Sequence, residues 1–369
     1  MIVGQPLPSS WYRRWFANLM LIFASLMGTF LMLEVLSIGV LPEPIVWLNP
    51  QERYIPHPIL VHQLKPNQNS FTHSFPVTTN SYGLRDHEFP VTLNANTFRM
   101  VCLGDSLTFG VGVRLEDTYA KQLESLLNSN KQRKYEVINA GVPAYDTWQE
   151  IAYLREYGWR FAPDLVIIGF YANDVVPKPN PIPRVVSKSG SIRTAGLNEI
   201  LPDATVYLLK RSRLLLLLKD RYGKLVNQLR PSPEYRHKLS MLTGTTDQFV
   251  ERGWQQVEAS FKELVPLRKK HGFQLLVVVF PMEDQLLGRY PSAKYQSRLK
   301  EIAQSYNIDL LDLLPAFQRN FNGFASLFLE WDGHPNAKAH AIAASEIERY
   351  YFQHMAISNT KGAMSGSET

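Results

Sequence analysis

The sequence predicts an α/β protein on a mostly parallel sheet of about five strands, preceded by one apolar helix of membrane length. Three observations predict it. From Arg99 onward, short β-type runs alternate with amphipathic helical stretches, the pattern of parallel strands joined by helical crossovers. Two of these runs, Leu165 to Phe170 and Gln274 to Phe280, are continuously apolar, as strands buried on both faces are. Upstream, Trp15 to Leu41 is strongly apolar, and Leu19 to Leu33 carries no charge.

The apolar stretch is long enough to cross roughly 30 Å of hydrocarbon as a helix. Arg13 and Arg14 precede it, so the positive-inside rule assigns residues 1–14 to the cytoplasm and the chain after residue 41 to the far side. Trp11, Tyr12 and Trp15 suit the inner interface and Trp47 the outer one. Glu34 lies late in the segment, where its carboxylate is expected to snorkel to the headgroups. The rival is a cleaved signal peptide, for which Ser37-Ile38-Gly39 offers small residues. The apolar run exceeds the ~7–15 residues of a signal core, which favours an uncleaved anchor. Either way the chain is exported: a single-pass protein facing the periplasm or exterior, or a secreted one if the segment is cleaved.

Residues 42–97 read as a linker with lead-in strands. Pro42, Pro44, Pro56, Pro58 and Pro66 keep its first part extended, and Phe71 to Asn80 reads as a strand. The main domain spans 98–353. Its strands are Arg99 to Leu103, Tyr135 to Asn139, Leu165 to Phe170, Gln274 to Phe280 and Ile308 to Leu311. Helices fall at about Thr118 to Asn128, with Asp117 as cap, and from Thr147, where Thr147 to Glu150 forms a capping box. Further helices are Gln248 to Lys270, Ser292 to Tyr306 and Asn336 to Tyr351. Residues 177–244 interrupt the rhythm as an insertion. Within it, Leu214 to Leu218, flanked by Arg211, Arg213, Lys219 and Arg221, reads as a helix packed on the core, with a lid or membrane-facing helix as the alternative. The tail, 354–369, is small, polar and expected to be disordered.

Composition adds bounds. The chain has 369 residues, 45% hydrophobic and 20% charged, an ordinary globular balance. The net charge of +6 is scattered without a long basic run, which speaks against nucleic acid and leaves an anionic surface or polyanionic substrate open. The single cysteine, Cys102, lies in an apolar strand and reads as a buried structural thiol. No zinc or phosphate-loop motif occurs, and no cofactor is expected.

Four segments fall at the carboxyl ends of strands or at the start of the last helix: Gly104-Asp105-Ser106-Leu107, Asn139 to Pro143, Gly169 to Asp174, and Asp332-Gly333-His334-Pro335-Asn336. Open α/β sheets bind ligands at that edge. The residue types suit acyl transfer. Ser106 needs a base, which His334 supplies, and a carboxylate to hold the imidazole, for which Asp332 shares its loop. The N–H of Ser106, the N–H of Gly141 and the amide of Asn173 are candidate oxyanion donors. Asp105 is expected to brace the loop, Asp174 to be structural, and His340 to serve the core.

These four blocks resemble those of the SGNH (GDSL-type) hydrolase superfamily, with Ser106, Gly141, Asn173 and His334 at its named positions. The resemblance covers about Arg99 to Tyr351. Asn80 to Arg85 is similar to a lead-in of membrane-anchored and exported members. It implies a three-layer α/β/α, flavodoxin-like fold and a serine esterase acting through an acyl-enzyme. One departure stands out. The commonest pattern places the acid three residues before the histidine, where this chain has Trp331; Asp332 is two before it, a spacing similar to alginate-acetylation members, and Glu330 is a minor rival. The expected substrate is an O-acyl ester of a carbohydrate or lipid, with short or acetyl groups foremost. The alternatives are an O-acyltransferase to a polysaccharide and a non-catalytic binding or assembly protein on the same fold.

Overall fold

The structure is a computed structural model and describes residues 9–94, 96–129, 133–178, 184–187, 190–194, 209–245, 247–290 and 294–356. The chain forms two compact units, one of Met1–Ile45 with Pro202–Gln228, the other of Val46–Leu201 with Leu229–Thr369.

The larger unit opens with two antiparallel hairpins. β1 (Tyr54–His57) pairs with β2 (Val61–Leu64), and β3 (Asn69–Thr72) with β4 (Phe75–Thr78). The single strand expected over Phe71 to Asn80 is therefore a hairpin that reverses after Thr72. His73 takes φ +54°, a left-handed conformation that turns the chain where a strand would continue it. The main sheet follows: β5 (Thr97–Gly104), β6 (Lys134–Gly141), β7 (Leu165–Phe170), β10 (Gln274–Val279) and β11 (Asp309–Asp312). Between β7 and β10 a short hairpin pairs β8 (Arg184–Val186) with β9 (Ile192–Thr194).

The five strands are all parallel, in the order β11-β10-β7-β5-β6. Alternation along them builds the layers. Val101, Leu103, Val166, Ile168, Val277 and Val279 face a core shared with helices Thr147–Glu156 and Gln248–His271. Met100, Cys102, Leu165, Ile167, Leu276 and Val278 face a second core under helices Tyr119–Leu127 and Ala337–Tyr350. The result is the three-layer α/β/α arrangement. Cys102 is fully buried, and burial pushes its thiol up to about 12.

Helix starts follow local chemistry, with two shifts of one residue. Thr118, not Asp117, caps Tyr119–Leu127 through its hydroxyl, because Asp117 is used in the preceding 3-10 turn. The Thr147–Glu156 helix is entered from Asp146, whose N–H is taken by Gln149 Oε1 at 3.1 Å, while Glu150 turns into the interior. Asn336 caps the final helix, accepting from the N–H groups of Lys338 and Ala339. That helix continues as a π-turn over Tyr351–Met355, so residues 354–356 of the expected tail are ordered, and 357–369 lie outside the described residues.

The smaller unit contains helix Ser9–Ser37, whose stretch Tyr12–Ser37 is long and apolar enough to cross a membrane. Its second helix, Arg213–Leu229, has no fully buried residue, and Leu214 to Leu217 of the five-leucine run are half-buried. Leu218, Tyr222 and Leu225 form an exposed stripe at helical spacing. The carboxylate of Glu34 caps this helix, accepting from Ser212 Oγ at 2.7 Å and the N–H groups of Arg213 and Leu214 at 2.8 and 3.2 Å. In return Arg213 donates to the carbonyls of Ile38 and Leu41, just past the end of the first helix. Each helix end thus meets the charge its dipole favours.

Candidate active site

β6, β5 and β7 lie side by side, and the chain reverses its direction of sheet growth between β5 and β7. That switch point opens a crevice at the carboxyl edge. β5 ends at Gly104, and Asp105 starts the one-turn helix Ser106–Phe109, its Oδ1 accepting the N–H of Leu107 at 2.8 Å. Ser106 is the first residue of that turn, where no intrahelical acceptor meets its N–H.

Ser106 Oγ lies 2.9 Å from His334 Nε2. On the other side of the ring, Nδ1 is hydrogen-bonded to Asp332 Oδ1, and the same oxygen accepts the His334 N–H at 3.2 Å. The carboxylate therefore holds the ring proton on Nδ1 and leaves Nε2 as an acceptor toward the serine. Burial opposes the charged imidazole, but the bond and charge of Asp332 outweigh it, so the pKa of His334 is raised. Burial also opposes the charged form of Asp332, yet hydrogen bonds from His334 and His73 hold its carboxyl far below the usual range. The short Asp-x-His spacing works because the loop doubles back. Trp331 and Gly333 take φ +65° and +88°, and Leu329 accepts from the N–H groups of Asp332 and Gly333. Asp332, not Glu330, is the carboxylate at the imidazole.

Asn173 lies in the 3-10 turn Ala172–Asp174 after β7. Its Nδ2 donates to Asp105 Oδ2 at 2.7 Å. An amide nitrogen has two hydrogens, so one remains for a ligand. Asp105 thus orders both the serine turn and the Asn173 amide. Asp174 accepts the N–H of Tyr171 at 2.7 Å and holds the turn itself. Gly141 ends β6 directly under the serine turn, where an added Cβ would stand 2.2 Å from the nitrogen of Phe109. Its N–H does not face the crevice unoccupied as expected: it donates to the buried Asn139 Oδ1 at 3.1 Å, because that side chain folds over its own strand end. His340 is fully buried and accepts the Tyr119 N–H at 3.2 Å, a core role; burial pushes its pKa down to about 3.

Two neighbours escape a reading by motif. Arg85, in the Asn80 to Arg85 block, is fully buried and donates to the carbonyls of Phe109, Gly110 and Val113 at 2.9, 2.6 and 2.7 Å. It braces the loop that follows the serine turn; a charged residue directly after Gly83-Leu84 was the available signal. His73 Nε2 stands 3.4 Å from Asp332 Oδ2, and nothing in a Thr-His-Ser turn marks it in advance.

The sequence profile of the GDSL-like lipase/acylhydrolase family matches residues 102–342. The chain belongs to this family. It is an ester hydrolase of the GDSL type, and its parallel sheet and flanking helices are the fold of that group. No curated protein matches the chain in sequence. Among solved structures, TesA shares 13% identity at a TM-score of 0.41, covering 69% of this chain and 97% of TesA. The acetylxylan esterase Axe2 from Geobacillus stearothermophilus, as a catalytic mutant, shares 17% at 0.40, covering 68% and 93%. A two-domain esterase active on acetylated mannans shares 16% at 0.40, covering 70% and 49%. Among the described residues, no group of three or more His, Cys, Asp or Glu side chains is placed to hold a metal ion.

Proposed function

We propose that this GDSL hydrolase is a serine esterase working through an acyl-enzyme, held at a membrane by helix Ser9–Ser37 with its hydrolase domain on the outer side. The observation that carries the reading is the continuous chain from Ser106 Oγ to His334 Nε2 and from Nδ1 to Asp332. His334 takes the Ser106 proton as Oγ attacks the ester carbonyl, and Asp332 stabilises the imidazolium that forms. The oxyanion is met by the Ser106 N–H and the second Nδ2 hydrogen of Asn173. Gly141 joins them when Asn139 releases its N–H. Each such donor is worth roughly 10²–10³ in turnover. His334 then protonates the leaving alcohol, and later deprotonates the water that frees the acid.

Acetyl or other short acyl groups on a carbohydrate or lipid are the favoured substrates. The Asp-x-His spacing favours a second reading, transfer of the acyl group to a sugar hydroxyl. A fluorophosphonate probe should label the full-length protein in membranes and fail to label Ser106→Ala. An unlabelled wild type would favour a non-catalytic protein on this fold. Hydrolysis of a 4-nitrophenyl ester series, with and without an oligosaccharide acceptor, separates the rest: acetyl preference supports the short-acyl assignment, and acylated sugar supports the transferase.

A further inference from the structure

We infer that His73, supplied by the β3–β4 hairpin outside the matched family region, is a positioning residue for the acid of the triad. It rests on the reading of Ser106, His334 and Asp332 as that triad.

Four independent features converge on this side chain. First, its Nε2 lies 3.4 Å from Asp332 Oδ2, while Oδ1 of the same carboxylate serves His334. Asp332 is therefore gripped from both sides, one oxygen to each imidazole. Second, His73 holds φ +54°, a region a β-carbon disfavours by about 1–2 kcal/mol and which glycine or asparagine fills more cheaply. A histidine kept in a glycine-type turn points to a use for its ring. Third, the backbone there is clamped: the His73 N–H donates to Gln51 Oε1 at 2.9 Å, and its carbonyl accepts from Leu48 N–H at 2.8 Å and Gln51 Nε2 at 2.9 Å. Trp47 packs edge-on against the ring at 4.4 Å. Fourth, the facing loop makes room for it. Gly112, at φ +72°, has no β-carbon where one would stand 2.6 Å from His73 Nδ1, and its N–H ties to Thr72 Oγ1 at 3.1 Å.

A carboxylate with one tethered oxygen can rotate about its χ2 bond; with both oxygens held, it presents Oδ1 to His334 in one orientation. A short Asp-x-His loop needs such outside support more than a carboxylate fixed on a regular element does. The donor on Oδ2 also draws charge from Oδ1. His334 is faced by Asp332, by Asp105 beside Ser106 and by Glu52 next to His73, and Arg85 faces Glu52 in turn. Of these, His73 is the group that acts directly on the acid from outside its loop.

The test uses the full-length protein with 4-nitrophenyl acetate. His73→Gly removes the ring and suits the left-handed turn, so the fold is retained; His73→Gln keeps an amide donor. His73→Gly should lower kcat about 10-fold or more with KM within about twofold. With Oδ2 released, Asp332 binds the imidazolium of His334 more strongly, so the acidic limb of kcat/KM should move to higher pH. His73→Gln should restore most of kcat and the limb position. The inference is overturned if His73→Gly leaves kcat and the limb unchanged, or if both variants lose activity alike with an unmoved limb and a lowered Tm. Titration of His334 by histidine-labelled NMR reads the same coupling without turnover. Its upward shift in His73→Gly supports the contact even if wild type fails to hydrolyse esters, which would instead sink the esterase reading.

Discussion

At the residue scale, the acid of the site is decided by a loop reversal rather than by spacing. Counting back from His334 reaches Trp331 at the commoner position, yet the left-handed turns at Trp331 and Gly333 bring Asp332 to Nδ1. Asp332→Asn should cut kcat about 10³–10⁴-fold, since an amide cannot hold the tautomer or the charged ring. The sign of the accompanying pH effect follows from the raised pKa of His334. His334 works as a base only when neutral, so in wild type the acidic limb of kcat/KM lies above the ordinary imidazole value of about 6.5. With the carboxylate gone, burial dominates and the limb moves to lower pH. That is opposite to His73→Gly, so the two pH profiles tell the acid from its support. Ser106, His334, Asp332 and Asn173 were legible as residue types with known chemistry. His73 and Asn139 were not, because their contributions depend on a hairpin turn and a folded-back amide that short motifs do not encode.

At the scale of elements, all five main-sheet strands were legible as β-type runs: Leu165–Phe170 falls as expected, Thr97–Gly104 and Lys134–Gly141 run longer at both ends, Gln274–Val279 stops one residue sooner, and Asp309–Asp312 is shifted by one. The region before the sheet was harder. Its strands are only four residues long, too short for a period-two pattern to stand out from its surroundings. Yet this region carries His73 and Arg85, which support the acid loop and the serine loop. Arg85→Met should leave three carbonyls without their donor and destabilise the protein by about 2–4 kcal/mol in chemical denaturation. Arg85→Lys should recover little, because an ammonium cannot reproduce the planar fork. A denaturation midpoint equal to wild type in Arg85→Met would show that the loop holds itself.

At the scale of the whole molecule, the fold gathers four carboxylates, those of Glu150, Asp174, Asp105 and Asp146. Glu150 is fully buried with neither oxygen hydrogen-bonded, and Asp174 is buried near it. Burial, then the charges of Asp174, Asp105 and Asp146, pushes the Glu150 carboxyl well above its ordinary value. As pH rises past the unfolded value of about 4.3, the unfolded chain ionises Glu150 while the folded one keeps its proton, so this group's contribution to stability falls. Asp332 acts oppositely, stabilising above the ordinary carboxylate range and losing that contribution as the pH drops. Glu150→Gln should therefore gain in Tm relative to wild type as the pH rises past about 4.3. A difference that is flat with pH would show that Glu150 is ionised in the folded protein.

By itself the sequence determined the α/β alternation, the membrane-length helix and the four chemical blocks, because periodicity and residue type are local properties of a chain. The tertiary structure alone decided which donors meet which acceptors. It made Glu34 a helix cap, occupied the Gly141 N–H with Asn139, and put His73 against Asp332 with 258 residues between them in the sequence. Such contacts depend on where the sheet and its loops place distant atoms to within about an ångström, and no pattern along the chain carries that distance.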